Sequence, residues 1–161
     1  MLFYFGVWFG ALLQELVPFP SFLLFVPAGA TMQAQDISLG PVFILALAIG
    51  FARVIAGLIV YGLSEGLYTA LYADRTSWFG VKRSHVNKVR NKLGETGSWW
   101  TVFLMWALPI VPSTLIPLSA GFVRLPLRTF MTATYAGSII NALMYLLIGY
   151  YGIKGIGLLG V

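Results

Sequence analysis

Four long apolar stretches follow one another along the chain, at residues 2–32, 41–63, 99–123 and 129–149. The second and the fourth are each long enough to cross a bilayer, because a membrane-spanning helix needs about 20 apolar residues. Neither of them contains an internal proline. We therefore predict that both are complete transmembrane helices.

Prolines interrupt the other two stretches. Pro18 and Pro20 divide the first, and Pro109 and Pro112 divide the third, into pieces shorter than the roughly 20 residues that a span requires. Proline lacks an amide hydrogen and clashes with the preceding turn, so paired prolines break a helix and free backbone groups that lipid cannot satisfy. Each interrupted stretch therefore predicts a re-entrant helical hairpin whose tip is sheltered by protein or water.

The same series of residues occurs once in each half of the chain. It comprises Trp8, Pro20-Ser21, Ala28-Gly29, Phe43, Gly50 and Gly62 in half one, and Trp100, Pro112-Ser113, Ala120-Gly121, Phe130, Gly137 and Gly149 in half two. This ordered correspondence indicates a duplication. Since a re-entrant hairpin returns to the side from which it entered and a spanning helix changes sides, we expect the two halves to be inverted. Many transporters have inverted repeats of this kind, with the binding site at the helix breaks.

Composition supports an all-α integral membrane fold. Of the 161 residues, 59% are hydrophobic and 9% are charged, whereas soluble domains carry about 25% charged residues. We expect a single membrane domain over residues 1–161. Half one is placed at 1–66, a linker at 67–97 and half two at 98–161.

The linker at 67–97 is strongly polar, and basic residues are concentrated on its side of the membrane. That side carries Arg75, Lys82, Arg83, Lys88, Arg90, Lys92, Arg124 and Arg128, against Lys154 on the other side. By the positive-inside rule the linker is cytoplasmic, and we expect the plasma membrane as the location. Apolar residues among the basic ones predict an amphipathic helix on anionic headgroups. A solvated loop whose charge only sets the topology explains the pattern equally well.

Residue content disfavours several kinds of chemistry. The chain has no cysteine, which excludes disulfides and thiolate chemistry. Its single histidine, His85, lies in the linker, so neither a histidine metal site nor a histidine relay is available. Catalytic spacings of serine, lysine or paired carboxylates are missing. We therefore expect no enzyme, no metal and no cofactor, and also no nucleic-acid partner, because the basic residues lie beside membrane segments.

A signal peptide is the main competing interpretation of the N-terminal stretch, because Ala28-Gly29-Ala30 resembles a small-residue cleavage site. The segment lacks a basic start and contains Glu15 and several prolines. The Ala-Gly pair also recurs at Ala120-Gly121, in the second half. We therefore expect the stretch to belong to the membrane domain.

Two ionisable residues lie within the apolar stretches, Glu15 just before the first break and Arg53 in the middle of stretch 41–63. Charges at such depth are costly and usually pair or line a watery cavity. We predict a Glu15–Arg53 pair. It is either a static ion pair or a protonatable carboxylate that releases and reclaims an arginine, whose guanidinium suits a phosphate group.

Three polar residues are further candidates for substrate or proton binding. Ser21 and Ser113 follow the last proline of each break, where a hydroxyl either caps the next helix or helps its amides to face an anion. Asn141 falls beside the position in half two that corresponds to Arg53. It either lines the same cavity or makes a bond between helices.

Tryptophans and glycines suggest surface roles. Tryptophan commonly anchors a helix at the membrane interface, and we assign no chemistry to Trp8, Trp78, Trp99, Trp100 and Trp106. Glycines allow close contact between helices. Gly50, Gly57 and Gly137 therefore make a homodimer conceivable.

These residues together resemble the DedA family, also called the SNARE-associated or VTT-domain family. The matching positions are Glu15, Pro18, Pro20-Ser21, Ala28-Gly29, Tyr61-Gly62, Gly66, Gly97, Pro109, Pro112, Ala120-Gly121, Phe130 and Gly137-Ser138. The resemblance implies two opposed re-entrant hairpins. It also implies movement of lipids between leaflets by flipping or scrambling, with undecaprenyl phosphate or phosphatidylethanolamine as substrate and proton coupling in bacterial members.

The chain departs from the family pattern at three positions. Many members carry an acidic residue where this chain has Phe22, and arginines where it has Trp106 and Pro112. The leading hypothesis is a lipid flippase or scramblase for a phospholipid or polyprenyl phosphate. A small-solute or ion carrier and a non-transporting membrane scaffold remain open as alternatives.

Overall fold

The computed structural model describes residues 1–17, 19–73, 99–108 and 112–158, and regular structure in these ranges is helical throughout. In chain order the helices are α1 (Leu2–Leu16), α2 (Phe22–Ala34), α3 (Leu39–Ala73), α4 (helical residues 99–107), α5 (Leu115–Val123) and α6 (Leu127–Leu158). The all-helical prediction is confirmed for these ranges. Pro18, Pro109 and residues 74–98, which include most of the predicted linker and its predicted surface helix, lie outside them.

Helix breaks occur at both proline clusters. Helix α1 ends at Leu16 and α2 begins at Phe22. In the second half, α4 ends at residue 107 and α5 begins at Leu115. Both proline-interrupted stretches therefore form two short helices each, as predicted. None of these four helices is long enough to cross a bilayer alone.

The two uninterrupted stretches form the long helices α3 and α6. Within them, Leu39–Leu67 and Leu127–Gly152 are long and apolar enough to span a membrane. Helix α3 continues beyond its span to Ala73, so the first residues of the predicted linker are helical, and the linker boundary itself stays a prediction. Residues 67–73 contain leucine, alanine and tyrosine but no proline or glycine, and nothing in them ends a helix.

The short helices pack mainly on the long helix of the other half. Helix α2 lies against α6, α5 lies against α3, and α1 also packs on α3. The close approach of α2 to α6, and that of α5 to α3, each depends on a glycine. A Cβ at Gly29 would overlap the backbone carbonyl of Leu146, and a Cβ at Gly121 would overlap the carbonyl of Tyr61. The helix backbones are therefore nearly in contact at these two points.

The glycines that suggested a homodimer are used within the chain instead. Gly50 faces Ile139, Gly57 faces Phe130, and Gly137 faces the Phe103 carbonyl. All three glycines are buried, so they cannot form a face for a second copy. The glycine argument for a dimer is thus wrong, and the homodimer itself stays a prediction.

Two apolar clusters lie on either side of Arg53 along α3. One includes Ala46, Ile49 and Ala52 of α3 with residues of α1, α2 and α6. The other includes Tyr61 with residues of α4, α5 and α6. Arg53 thus occupies the stretch of α3 between the two clusters, where helices of both halves meet.

Candidate functional site

Buried polar residues are concentrated around Arg53. The buried polar and charged side chains in the described ranges are Gln14, Glu15, Arg53, Ser64, Thr134, Ser138 and Asn141. Glu15 is 0% exposed and Arg53 is 1% exposed. Charges buried this completely require partners.

Arg53 contacts three of the predicted site residues. Its Nε lies 3.5 Å from Glu15 Oε1, which confirms the predicted pairing of these two residues. One terminal nitrogen donates to Asn141 Oδ1 at 2.9 Å, and the other donates to Ser21 Oγ at 2.7 Å. A single guanidinium therefore connects α1, the first helix break and α6.

Two aromatic rings pack against the same guanidinium. Arg53 Cζ lies 5.0 Å from the ring centroid of Phe25 on α2 and 5.3 Å from that of Trp106 on α4. Aromatic faces attract cations, more strongly where water is excluded. These rings hold the guanidinium in place, so its polar contacts are made at its edges.

Ser21 binds side chains, although its sequence position suggested that it caps α2. Among the described residues its hydroxyl makes no hydrogen bond to the α2 backbone. Its oxygen instead accepts hydrogen bonds from Gln14 Nε2 at 2.5 Å and from Arg53. Capping by the Ser21 hydroxyl is therefore a wrong interpretation, because two buried donors compete for its oxygen.

Both helix breaks line one cavity of ≈ 380 Å³. The lining residues are Phe19, Pro20, Ser21, Phe22, Arg53, Met105, Trp106, Leu108, Pro112, Ser113, Thr114, Ile116, Asn141 and Tyr145. Four of the five predicted substrate-binding residues are in this set, and the fifth, Glu15, is paired with one of them, Arg53. Ser113 also lies beside the Glu15 carboxyl group.

Several buried polar atoms at the site have no hydrogen-bond partner within the described part of the chain. Among them are Trp106 Nε1 and the Thr114 hydroxyl, whose side chains line the cavity. Leaving such groups unpaired costs free energy, and native proteins retain few of them. Unpaired buried donors on the wall of a cavity are typical of a binding site for a polar group.

Sequence reasoning missed part of this site. Gln14, Phe25 and Tyr145 were not considered, and no chemistry was assigned to Trp106. Trp106 is only 2% exposed and packs against Arg53, so it belongs to the site and is not an interfacial anchor. The sequence did contain a signal for Trp106. The separation between Gln14 and Trp106 equals that between Pro20 and Pro112, so Trp106 occupies in half two the position that Gln14 occupies in half one.

A sequence model described as the VTT domain matches residues 19–151 of the chain. The chain belongs to the VTT-domain family. This confirms the resemblance to the DedA, or SNARE-associated, proteins. No curated protein and no solved structure matches the chain significantly.

Family membership bears on the whole fold. VTT-domain proteins are membrane proteins, and two helices of this one are long and apolar enough to span a bilayer. We therefore describe it as a helical membrane protein. The matched region includes Ser21, Arg53, Trp106 and Asn141, whereas Glu15 precedes it.

Proposed function

We propose that this VTT-domain protein moves lipids between the two leaflets, as a flippase or scramblase. The observation that carries the proposal is the cavity between the two proline breaks, with Arg53 in its wall and Glu15 paired to it. An intramembrane ion pair at a cavity is typical of a substrate or ion pathway. The substrate class that suits it is a phospholipid or polyprenyl phosphate.

The size and lining of the cavity favour a headgroup as the moving part. A volume of ≈ 380 Å³ lies near the lower end of the range for small-molecule sites, about 300–1,000 Å³. Phe19, Phe22 and Leu108 line the cavity and are also about half exposed. These apolar side chains would let acyl chains remain in the bilayer while the phosphate reaches the polar wall.

Arg53 is the proposed phosphate ligand. A guanidinium forms strong, directional hydrogen bonds with phosphate oxygens. Glu15 competes with phosphate for the same cation, so its protonation would free Arg53 and link transport to protons. The proton link is part of the proposal.

We also propose that the two halves form an inverted repeat of re-entrant hairpins. The reciprocal packing of α2 on α6 and of α5 on α3 supports this arrangement. The corresponding glycines Gly29 and Gly121 make the close contacts in the two halves. In this arrangement the hairpin tips approach from opposite faces and meet at the cavity.

The proposed setting is the plasma membrane, with the basic linker in the cytoplasm. Support comes from the charge distribution alone, through the positive-inside rule. We propose anionic lipids as partners. A second copy of the chain is also proposed as a partner, although Gly50, Gly57 and Gly137 do not support it. We propose no enzymatic activity and no cofactor.

Reconstitution into liposomes tests the function. Vesicles carry fluorescent phospholipid or polyprenyl phosphate in both leaflets, and a quencher of the outer leaflet reports transfer. We expect transfer above that of empty vesicles, and its loss in Arg53→Gln. Failure to transfer either lipid would count against transport of lipids, and a solute-dependent rise in melting temperature would then favour a small-solute carrier. Stabilisation only by anionic lipid or a protein partner would favour a scaffold.

A further inference from the structure

Trp106 combines three properties at the candidate site. It lines the cavity, it is almost completely buried, and its ring lies on the Arg53 guanidinium. Its indole Nε1 atom is buried and has no hydrogen-bond partner in the ranges that the structure describes. Buried indole N–H groups usually have one. The site therefore contains a neutral donor in addition to the N–H groups of Arg53.

Comparison of the two halves makes this donor unusual. Gln14 corresponds to Trp106 in the repeat, and the Gln14 amide donates to Ser21 at the tip of its own hairpin. The equivalent bond from Trp106 to Ser113 is not formed between these described residues. In half one the donor is thus used internally, whereas in half two the Trp106 N–H has no acceptor among the described residues, and its side chain lines the cavity.

We infer that the Trp106 indole N–H donates to a phosphate oxygen of the headgroup, beside Arg53, and that its ring positions the guanidinium. This inference rests on the proposed function, because it assumes that the cavity receives a phosphate group. Phosphate presents several strong acceptor oxygens. An arginine that binds phosphate through one edge of its guanidinium therefore leaves further oxygens that need a donor. A neutral N–H binds them without placing a second uncompensated charge in the membrane.

The indole signals of the protein test the donation directly. In the full chain in detergent, labelled with ¹⁵N-tryptophan, each of the five tryptophans contributes one indole N–H signal. The Trp106 signal is the one missing from Trp106→Phe. We expect dihexanoylphosphatidic acid to move this proton signal downfield and to saturate it. Inorganic phosphate forms a parallel arm, and a shift with the lipid alone would assign the site to a lipid headgroup.

Two substitutions separate donation from positioning. Trp106→Phe keeps a ring but loses the N–H, and we expect phosphatidic acid to bind about tenfold more weakly, which corresponds to about 1.4 kcal/mol. Trp106→Leu loses both features, and we expect about hundredfold weaker binding in total. Trp100→Phe is the matched control, because Trp100 is on the same helix and is half exposed. Its affinity should be unchanged, and thermal unfolding verifies the fold of each variant.

The outcomes distinguish this inference from the proposed function. If phosphatidic acid binds with dependence on Arg53 but the Trp106 signal does not move, the inference is overturned and the lipid proposal stands. The same holds if Trp106→Phe binds as tightly as the native protein. If the native protein binds neither probe, both the inference and the phosphate site are overturned.

Discussion

Replacing Arg53 by methionine removes the charge at the centre of the site while it keeps much of the apolar length. Glu15 is 0% exposed, and its carboxylate lies 3.5 Å from Arg53 Nε. The variant would therefore retain a buried carboxylate without its cation. Removing one partner of a buried ion pair costs about 3–5 kcal/mol. We expect the free energy of unfolding to fall by about that amount.

A double variant tests the cause of this loss. Glu15→Gln combined with Arg53→Met leaves a neutral amide in place of the carboxylate. We expect the double variant to be more stable than Arg53→Met alone, since the uncompensated charge is gone. The departure from additivity should reach about 1–3 kcal/mol. Lost hydrogen bonds to Asn141 and Ser21 account for the destabilisation that remains.

Equilibrium unfolding in mixed detergent micelles measures these differences. Arg128→Met is the control, because Arg128 is exposed on α6 and surface substitutions usually change stability by less than about 0.5 kcal/mol. Two results would refute the reasoning. One is a native-like stability of Arg53→Met, and the other is simple additivity in the double variant.

Three further predictions concern transport and packing. Glu15→Gln should abolish any pH dependence of lipid transfer in liposomes, because glutamine cannot be protonated; an unchanged pH profile removes Glu15 from the mechanism. Gly121→Ala should lower the melting temperature, since its Cβ overlaps the Tyr61 carbonyl, whereas Gly62→Ala, which faces open space, should not; equal effects would contradict the packing. Tyr61→Phe should cost about 1 kcal/mol in an unfolding titration, because it removes a 2.6 Å hydrogen bond to the Leu125 carbonyl; full stability would show that this bond is dispensable.

The helix breaks and the ion pair were readable from the chain because local rules govern them. Paired prolines end a helix wherever they occur, so α1 and α2 had to separate near Pro20. A buried acid and a buried base in one small membrane domain have few ways to be neutralised, which made the Glu15–Arg53 pair predictable. The end of α3 was not predictable in the same way, because the rise in polarity after residue 66 is not a helix-ending signal. Residues 67–73 contain neither proline nor glycine, and the helix continues to Ala73.

The contacts of each side chain were less predictable. Ser21 had the sequence context of a helix cap, but Gln14 and Arg53 reach its oxygen through the folded structure. Gly50, Gly57 and Gly137 suit close helix contact equally well inside a chain or between chains. Only the packing of α3, α4, α5 and α6 decided that these contacts are internal.

By itself, the sequence determined the membrane-protein class, the positions of the breaks and the family, since these depend on hydrophobicity, on proline and on motifs that are local in the chain. Tertiary structure alone decided which side chains share the cavity. Phe25, Trp106 and Asn141 meet Arg53 although they lie on three different helices. Such a meeting depends on how helices cross and rotate, and in lipid this is set by close packing at points such as Gly29 and Gly121 rather than by the pattern of any one segment.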